Sequence, residues 1–233
     1  MEKKLGVGAV WLFLLLSVPG QVAADTLVDF TDGSAGNGYN DQDWSGLDGQ
    51  TGFSKTVDGI EVSLKTNVGA MTFNGSSSET PGPINLGSGF WLDGNGDGIG
   101  IKNWGDTDEL NATWCKSEIL TMTLDPEMIV TNIYILDLFN KEVAAYSIGG
   151  ITGSYTATSD TPWGFHDLSI DQDIATGLTF FVTPPALGGD DGDHDFAVAG
   201  VMLASPVPEP ETMLLVGTGL AGLAGISRRR KKV

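Results

Sequence analysis

The sequence predicts an all-β fold: an antiparallel, jelly-roll-like β-sandwich, flanked by an N-terminal signal helix and a short C-terminal transmembrane helix. Three observations carry this reading. Several segments between residues 25 and 206 alternate apolar and polar side chains with a period of two. No stretch of that region carries a helical period. Glycine, 33 of 233 residues, punctuates it throughout, as short strands joined by many turns require.

The strands are read in order. Residues 26–31 open the domain. Ile60, Val62 and Leu64 alternate with Glu61, Ser63 and Lys65, the pattern of a half-buried strand. Leu120, Met122 and Leu124 alternate with Thr121 and Thr123. Residues 129–138 form a longer β-branched run, expected as a central strand buried on both faces. Residues 143–148, 153–158 and 177–183 follow. Residues 196–203 are apolar at nearly every position and are expected as the last core strand, close to the first. Residues 33–52 and 74–89 are rich in Gly, Asp, Asn and Ser. They are expected as long loops on a rigid scaffold, where binding surfaces concentrate.

The two ends differ from the domain. Lys3 and Lys4 precede an apolar run over residues 6–18, Pro19-Gly20 breaks it, and Val22-Ala23-Ala24 supplies small residues before Asp25. That order of parts is a secretory signal peptide cut after Ala24 by signal peptidase. At the other end, Val207-Pro208-Glu209-Pro210-Glu211 is a stiff, extended lead-in. An uncharged stretch follows over residues 212–226, then Arg228-Arg229-Arg230-Lys231-Lys232. A full membrane span needs about 20 apolar residues, so this stretch is expected as a thin or transient inner-membrane anchor. Its cations would stay cytoplasmic and the domain outside. The chain thus divides into a signal peptide (1–24), an exported domain (25–206) and a tail (207–233).

The tail resembles the PEP-CTERM sorting signal of bacterial exported proteins, with a Pro-Glu-Pro element, an apolar helix and a basic terminus in that order. The resemblance covers about the last 27 residues. It implies processing by an exosortase, a membrane cysteine protease-transpeptidase, with Pro208, Glu209 and Pro210 as recognition residues. It also implies release or transfer to the outer surface or extracellular matrix of a polysaccharide-producing bacterium.

Charge narrows the partners. The domain holds 27 acidic residues (the chain's 30 less Glu2, Glu209 and Glu211) against five lysines, a formal charge of −22. Such a charge excludes nucleic acid, which demands cations against phosphate, and argues against docking on anionic lipid. Cys115 is the lone cysteine, so no disulfide forms within the chain. A catalytic thiol would need His166 or His194 as partner, and a buried structural role is expected instead.

Two sets of candidate binding residues remain. Asp93-Gly94-Asn95-Gly96-Asp97-Gly98-Ile99 places oxygen side chains at alternate positions, like the start of a calcium loop, with the Ile99 carbonyl as a further ligand. Position 12 of that loop is Trp104, so it is not an EF-hand, and Glu109 or Glu118 would have to complete it. Asp29 and Asp195, at equivalent ends of the first and last strands, form a second candidate calcium pair. Trp44, Trp91, Trp104 and Trp163 lie beside Gly, Asp or Pro and are candidate stacking platforms for sugar rings. The chain carries no nucleophile elbow, zinc-protease motif or phosphate loop. The expected function is a non-catalytic, glycan-binding surface or matrix protein. The alternative is a secreted polysaccharide hydrolase using loop carboxylates, which composition alone cannot pick out.

Overall fold

A computed structural model of the chain describes residues 25–31, 42–73, 83–87, 89–92, 98–102, 110–113, 116–170, 175–182, 195–206 and 216–221. The residues from Ala24 to Pro208 form one compact unit. The signal segment, the Pro208-Glu209-Pro210 lead-in, Asp93, Asn95, Asp97, Trp104, Cys115 and His194 lie outside the described residues.

The unit is antiparallel β throughout, in two sheets that share one strand. The first sheet runs β2 (Gly52–Val57), β3 (Ile60–Thr66), β10 (Ile119–Leu136), β14 (Ala175–Val182), β11 (Val143–Ile148) and β12 (Ile151–Thr156). The second is built on the far half of β10, which pairs with β13 (His166–Ser169) and with β15 (Asp195–Ala204). The other edge of β15 is shared end to end by β1 (Thr26–Asp29), β7 (Ile99–Lys102) and β8 (Leu110–Thr113). β4 (Ala70–Phe73) lies beyond β7, and β9 (Lys116–Ser117) beyond β8. A separate hairpin joins β5 (Ile84–Gly87) and β6 (Phe90–Leu92).

The shared strand is longer than the pattern predicts. Residues 120–124 and 129–138 are read as two segments, yet one strand, β10, runs through Asp125-Pro126-Glu127 for 18 residues. Proline suits extended backbone and removes only its own ladder donor. The register with β14 shifts between Thr123 and Met128, across that proline. β10 pairs with β3 through Leu120–Asp125 and with β15 through Ile129–Leu136.

Side-chain alternation sends one face of each sheet into a common core. Val62, Leu64, Leu120, Met122, Leu178 and Phe180 of the first sheet meet Val28, Ile133, Ile135, Val198 and Val201 of the second in one hydrophobic cluster. The layering is therefore sandwich-like. The second sheet is also covered on its outer face: Tyr134, Leu136, Ala197, Ala199 and Met202 pack with Leu92 and, at the margin, Ile84, Phe90, Trp163 and Phe165. Burial on both faces explains why residues 133–136 and 196–203 are apolar at successive positions. The inward set on β15 changes from even to odd residues at Gly200, where the register with β10 slips. A Cβ at Gly200 would sit 2.7 Å from the Val28 carbonyl oxygen, so glycine lets β1 approach.

Two expected loops hold structure. The loop over 33–52 contains a 3-10 turn, Ser45–Leu47, and buries Trp44 and Leu47 completely. The loop over 74–89 contains β5.

Candidate functional site

A candidate site with apolar, aromatic walls lies on the outer face of the second sheet. There the chain leaves Thr161, makes the short turn Pro162–Gly164, and enters β13. Proline fits the first turn position because its φ is already set and no donor is lost there. Trp163 follows at φ 58° and ψ 21°, a left-handed conformation that costs a bulky residue about 1–3 kcal/mol. Four main-chain bonds hold it. Asp137 N–H donates to the Trp163 carbonyl at 2.9 Å and Leu138 N–H to the Gly164 carbonyl at 3.2 Å. Within the turn, Gly164 N–H donates to Thr161 and Phe165 N–H to Pro162. The Thr161 hydroxyl closes the loop onto the Phe165 carbonyl at 2.9 Å. Gly164 cannot be replaced lightly: its φ is +57°, and a Cβ would lie 2.4 Å from the Leu138 nitrogen.

The turn presents a groove of about 410 Å³ lined by Pro83, Ile84, Thr161, Pro162, Trp163 and Phe165. Its walls are largely apolar and carry no charged side chain. Under it, Phe165 stacks on Tyr134, with ring centroids 6.4 Å apart and planes 13° from parallel. Burial, with Asp167 and Asp25 adding to it, pushes the Tyr134 phenol well above its ordinary range, so it stays neutral.

Behind the turn sits buried His166. Its Nε2 lies 3.0 Å from the Leu138 carbonyl, which can only accept, so Nε2 carries the proton. Nδ1 then accepts from the Tyr155 hydroxyl at 3.1 Å. Both ring nitrogens are thus engaged in holding Leu138 and β12 in place.

The three described candidate tryptophans part company. Trp163 is half-buried and lines the groove. Trp91 is half-buried on β6. Its neighbours Phe90 and Leu92 face the sheet, so alternation turns Trp91 to the other side of the hairpin. Trp44 corrects the expectation: it is 0% exposed and offers no face to a sugar. Phe30 meets its ring edge-on at 4.9 Å, Phe53 at 6.2 Å, and the Lys55 ammonium stands 5.2 Å from its centroid. Its small polar neighbours in sequence suggested a loop surface, whereas Phe30 and the β2 residues Phe53 and Lys55 close over it.

The carboxylate pair is corrected too. β1 does lie beside β15 as expected, but Asp29 stands opposite Gly200, five residues along the strand from Asp195. That is roughly 17 Å, against calcium–oxygen bonds of about 2.3–2.6 Å, so the two cannot share one ion. Asp29 is buried, and its Oδ1 accepts from Thr31 N–H at 2.9 Å and from the Thr31 hydroxyl at 2.6 Å. Ile99 is a core residue of β7, paired with Phe73 and Val198. Among the described residues no group of three His, Cys, Asp or Glu side chains is placed to hold a metal.

The groove-lining proline pair and Phe165 escaped the sequence reading. Pro162-Trp163-Gly164 between two polar segments was the available signal, but the contribution of Pro83 and Ile84 depends on tertiary packing.

At the other end of the chain, residues 216–221 are helical and exposed. No helix among the described residues is long and apolar enough to cross a membrane. Residues 206–231 match the model of the PEP-CTERM protein-sorting motif. The tail is a PEP-CTERM sorting motif. A PEP-CTERM tail marks an exported, membrane-transiting protein and is consistent with processing by an exosortase. Pro208, Glu209 and Pro210 fall inside the matched segment. No curated protein matches the chain. Among solved structures, the family 32 carbohydrate-binding module from Streptococcus pneumoniae EndoD aligns with a TM-score of 0.27 and 11% identity, over 42% of this chain and 76% of the module. Similarity that low fixes neither a shared fold nor a ligand.

Proposed function

We propose that this exported, PEP-CTERM-sorted protein is a non-catalytic component of the cell surface or extracellular matrix, and that its β domain binds a neutral glycan at the Trp163 groove. The observation that carries the reading is the locked turn: a strained Trp163 held by bonds to Asp137 and Leu138, beside Phe165 and Pro162, over an uncharged groove. Sugar rings present C–H faces that are apolar and slightly positive, and an aromatic face is slightly negative. A ring fixed before binding loses little entropy on binding. The domain's charge of −22 disfavours anionic polymers elsewhere on its surface.

The jelly-roll arrangement belongs to this proposal, supported by the pairing of β1 with β15. So does removal of the signal peptide after Ala24, followed by delivery of the domain to the outer surface after exosortase cleavage near Pro208-Glu209-Pro210. Calcium at the Asp93-Asn95-Asp97 turn is part of it as well. Its support is the alternation of oxygen side chains at Asp93, Asn95 and Asp97. The calcium reading predicts a melting temperature that rises with calcium and falls with chelator. An unchanged melt would refute it without touching the groove. The glycan reading is tested by titrating the full chain, in detergent, with the producing organism's own polysaccharide and a panel of neutral glycans. Binding to none of them would sink it.

A further inference from the structure

The free edge of β12 offers an interaction surface of a different kind. An edge strand leaves a row of main-chain N–H and C=O groups open to pairing, and proteins usually block it. Several other edges among the described residues are closed or charged. The Gln42 side chain accepts from Asp29 N–H at 2.9 Å and donates to the Leu27 carbonyl at 2.6 Å, capping β1. Gly49 donates to the Met71 carbonyl and Met71 to the Gln50 carbonyl, closing β4. β2 carries Lys55, whose ammonium donates to the Asp43 carbonyl. β13 has only four residues and exposes Asp167.

β12 has none of these devices. Its six residues, Ile-Thr-Gly-Ser-Tyr-Thr, include no charge and no proline, and its register with β11 runs unbroken from Ile151 to Thr156. The far edge takes no hydrogen bond from any described residue. Ile151 is 60% exposed.

We propose that β12 pairs antiparallel with β12 of a second copy of this chain, continuing the first sheet across a two-fold axis at Gly153. Two features select a second copy. First, in that register Ile151 of each copy faces Tyr155 of the other on the inner side, and Thr152 faces Ser154 on the outer side. Apolar meets apolar and hydroxyl meets hydroxyl, the self-complementarity that an isologous contact requires. Second, two domains of charge −22 repel, so they can meet only where charge is absent, and this edge is such a place. Gly153 suits the axis: a Cβ there would lie 2.4 Å from the Tyr146 ring, so the position stays small. A six-residue edge is short, so the dimer is concentration-dependent rather than permanent.

The test is sedimentation equilibrium of the full chain in detergent, together with hydrogen exchange of the β12 amides. The wild type should dimerise as concentration rises, with β12 exchange slowing in step. Thr152 and Ser154 are exposed, so T152K/S154K and T152E/S154E should keep the wild-type melting temperature. Each double variant places like charges opposite each other and should dimerise at least about tenfold more weakly. Mixing the two variants should restore the dimer. A wild type that stays monomeric overturns the proposal, even if an extended peptide binds the edge. So does a dimer that the charged pairs leave intact, or one that mixing does not restore.

Discussion

The main-chain N–H of Asp137 donates to the carbonyl of Trp163 at 2.9 Å, joining two residues that both stand at positive φ, 56° and 58°. Each would be strained alone. Together with the Leu138–Gly164 bond they lock the end of β10 to the turn before β13. This lock fixes the indole at the groove, and it yields a prediction about glycine. W163G should be more stable than W163A by about 1 kcal/mol, because only glycine enters the left-handed region freely. G164A should lose about 2–4 kcal/mol, since its Cβ has no room against Leu138. Urea unfolding midpoints check both. Equal stability of W163G and W163A would show that the turn is not strained.

The Tyr155–His166 bond makes a second prediction. Y155F removes the donor to Nδ1 and leaves a buried acceptor unpaired, at a cost of about 1–2 kcal/mol. The same denaturation series reads it out. A neutral Y155F would mean that His166 is satisfied in some other way.

Tyr134 makes a prediction about pH. A phenol is neutral when protonated, and burial raises its folded value above the unfolded one, about 10. The stability this provides is complete below about pH 10. It is lost as pH rises further, because the unfolded chain releases its proton first. The urea midpoint should therefore fall between pH 9 and pH 11, and Y134F should fall less. Parallel slopes in the two proteins would contradict the assignment.

Trp44 makes a prediction that separates core from site. Its indole N–H is buried without a hydrogen-bond partner. W44F keeps a ring against Phe30 and removes that orphaned donor, so it should cost less than about 1.5 kcal/mol. W44A should cost about 3–5 kcal/mol. Neither should change glycan affinity in the folded protein. Weakened binding by a stable W44F would return Trp44 to the site.

What the sequence showed, and what it hid, follows from the range of the interactions. β3 and β15 were legible because period-two alternation or a wholly apolar run is a local property. The pairing of first and last strands was anticipated from architecture alone. β2, β4 to β9 and β13 were not read: they are two to six residues long, and their pattern is set by neighbours that sequence does not name. Residues 120–124 and 129–138 were read as separate segments, and the proline between them is one that extended backbone tolerates. At the site, Trp163 was legible as an aromatic beside Pro and Gly. Its partners Pro83 and Ile84 lie some 80 residues away in sequence, and the bond from Asp137 that locks it is main-chain, so no residue type announces it. Trp44 had the same local signature as Trp163 and the opposite fate.

The central claim is that Trp163 presents a fixed aromatic face to a sugar. The most direct measurement is isothermal titration of the producer's polysaccharide into the full chain in detergent, wild type beside W163A, with melting curves confirming that both are folded. The account predicts binding by the wild type and at least about a tenfold loss in a folded W163A. Equal affinity in the two proteins, or no binding by the wild type, would contradict it.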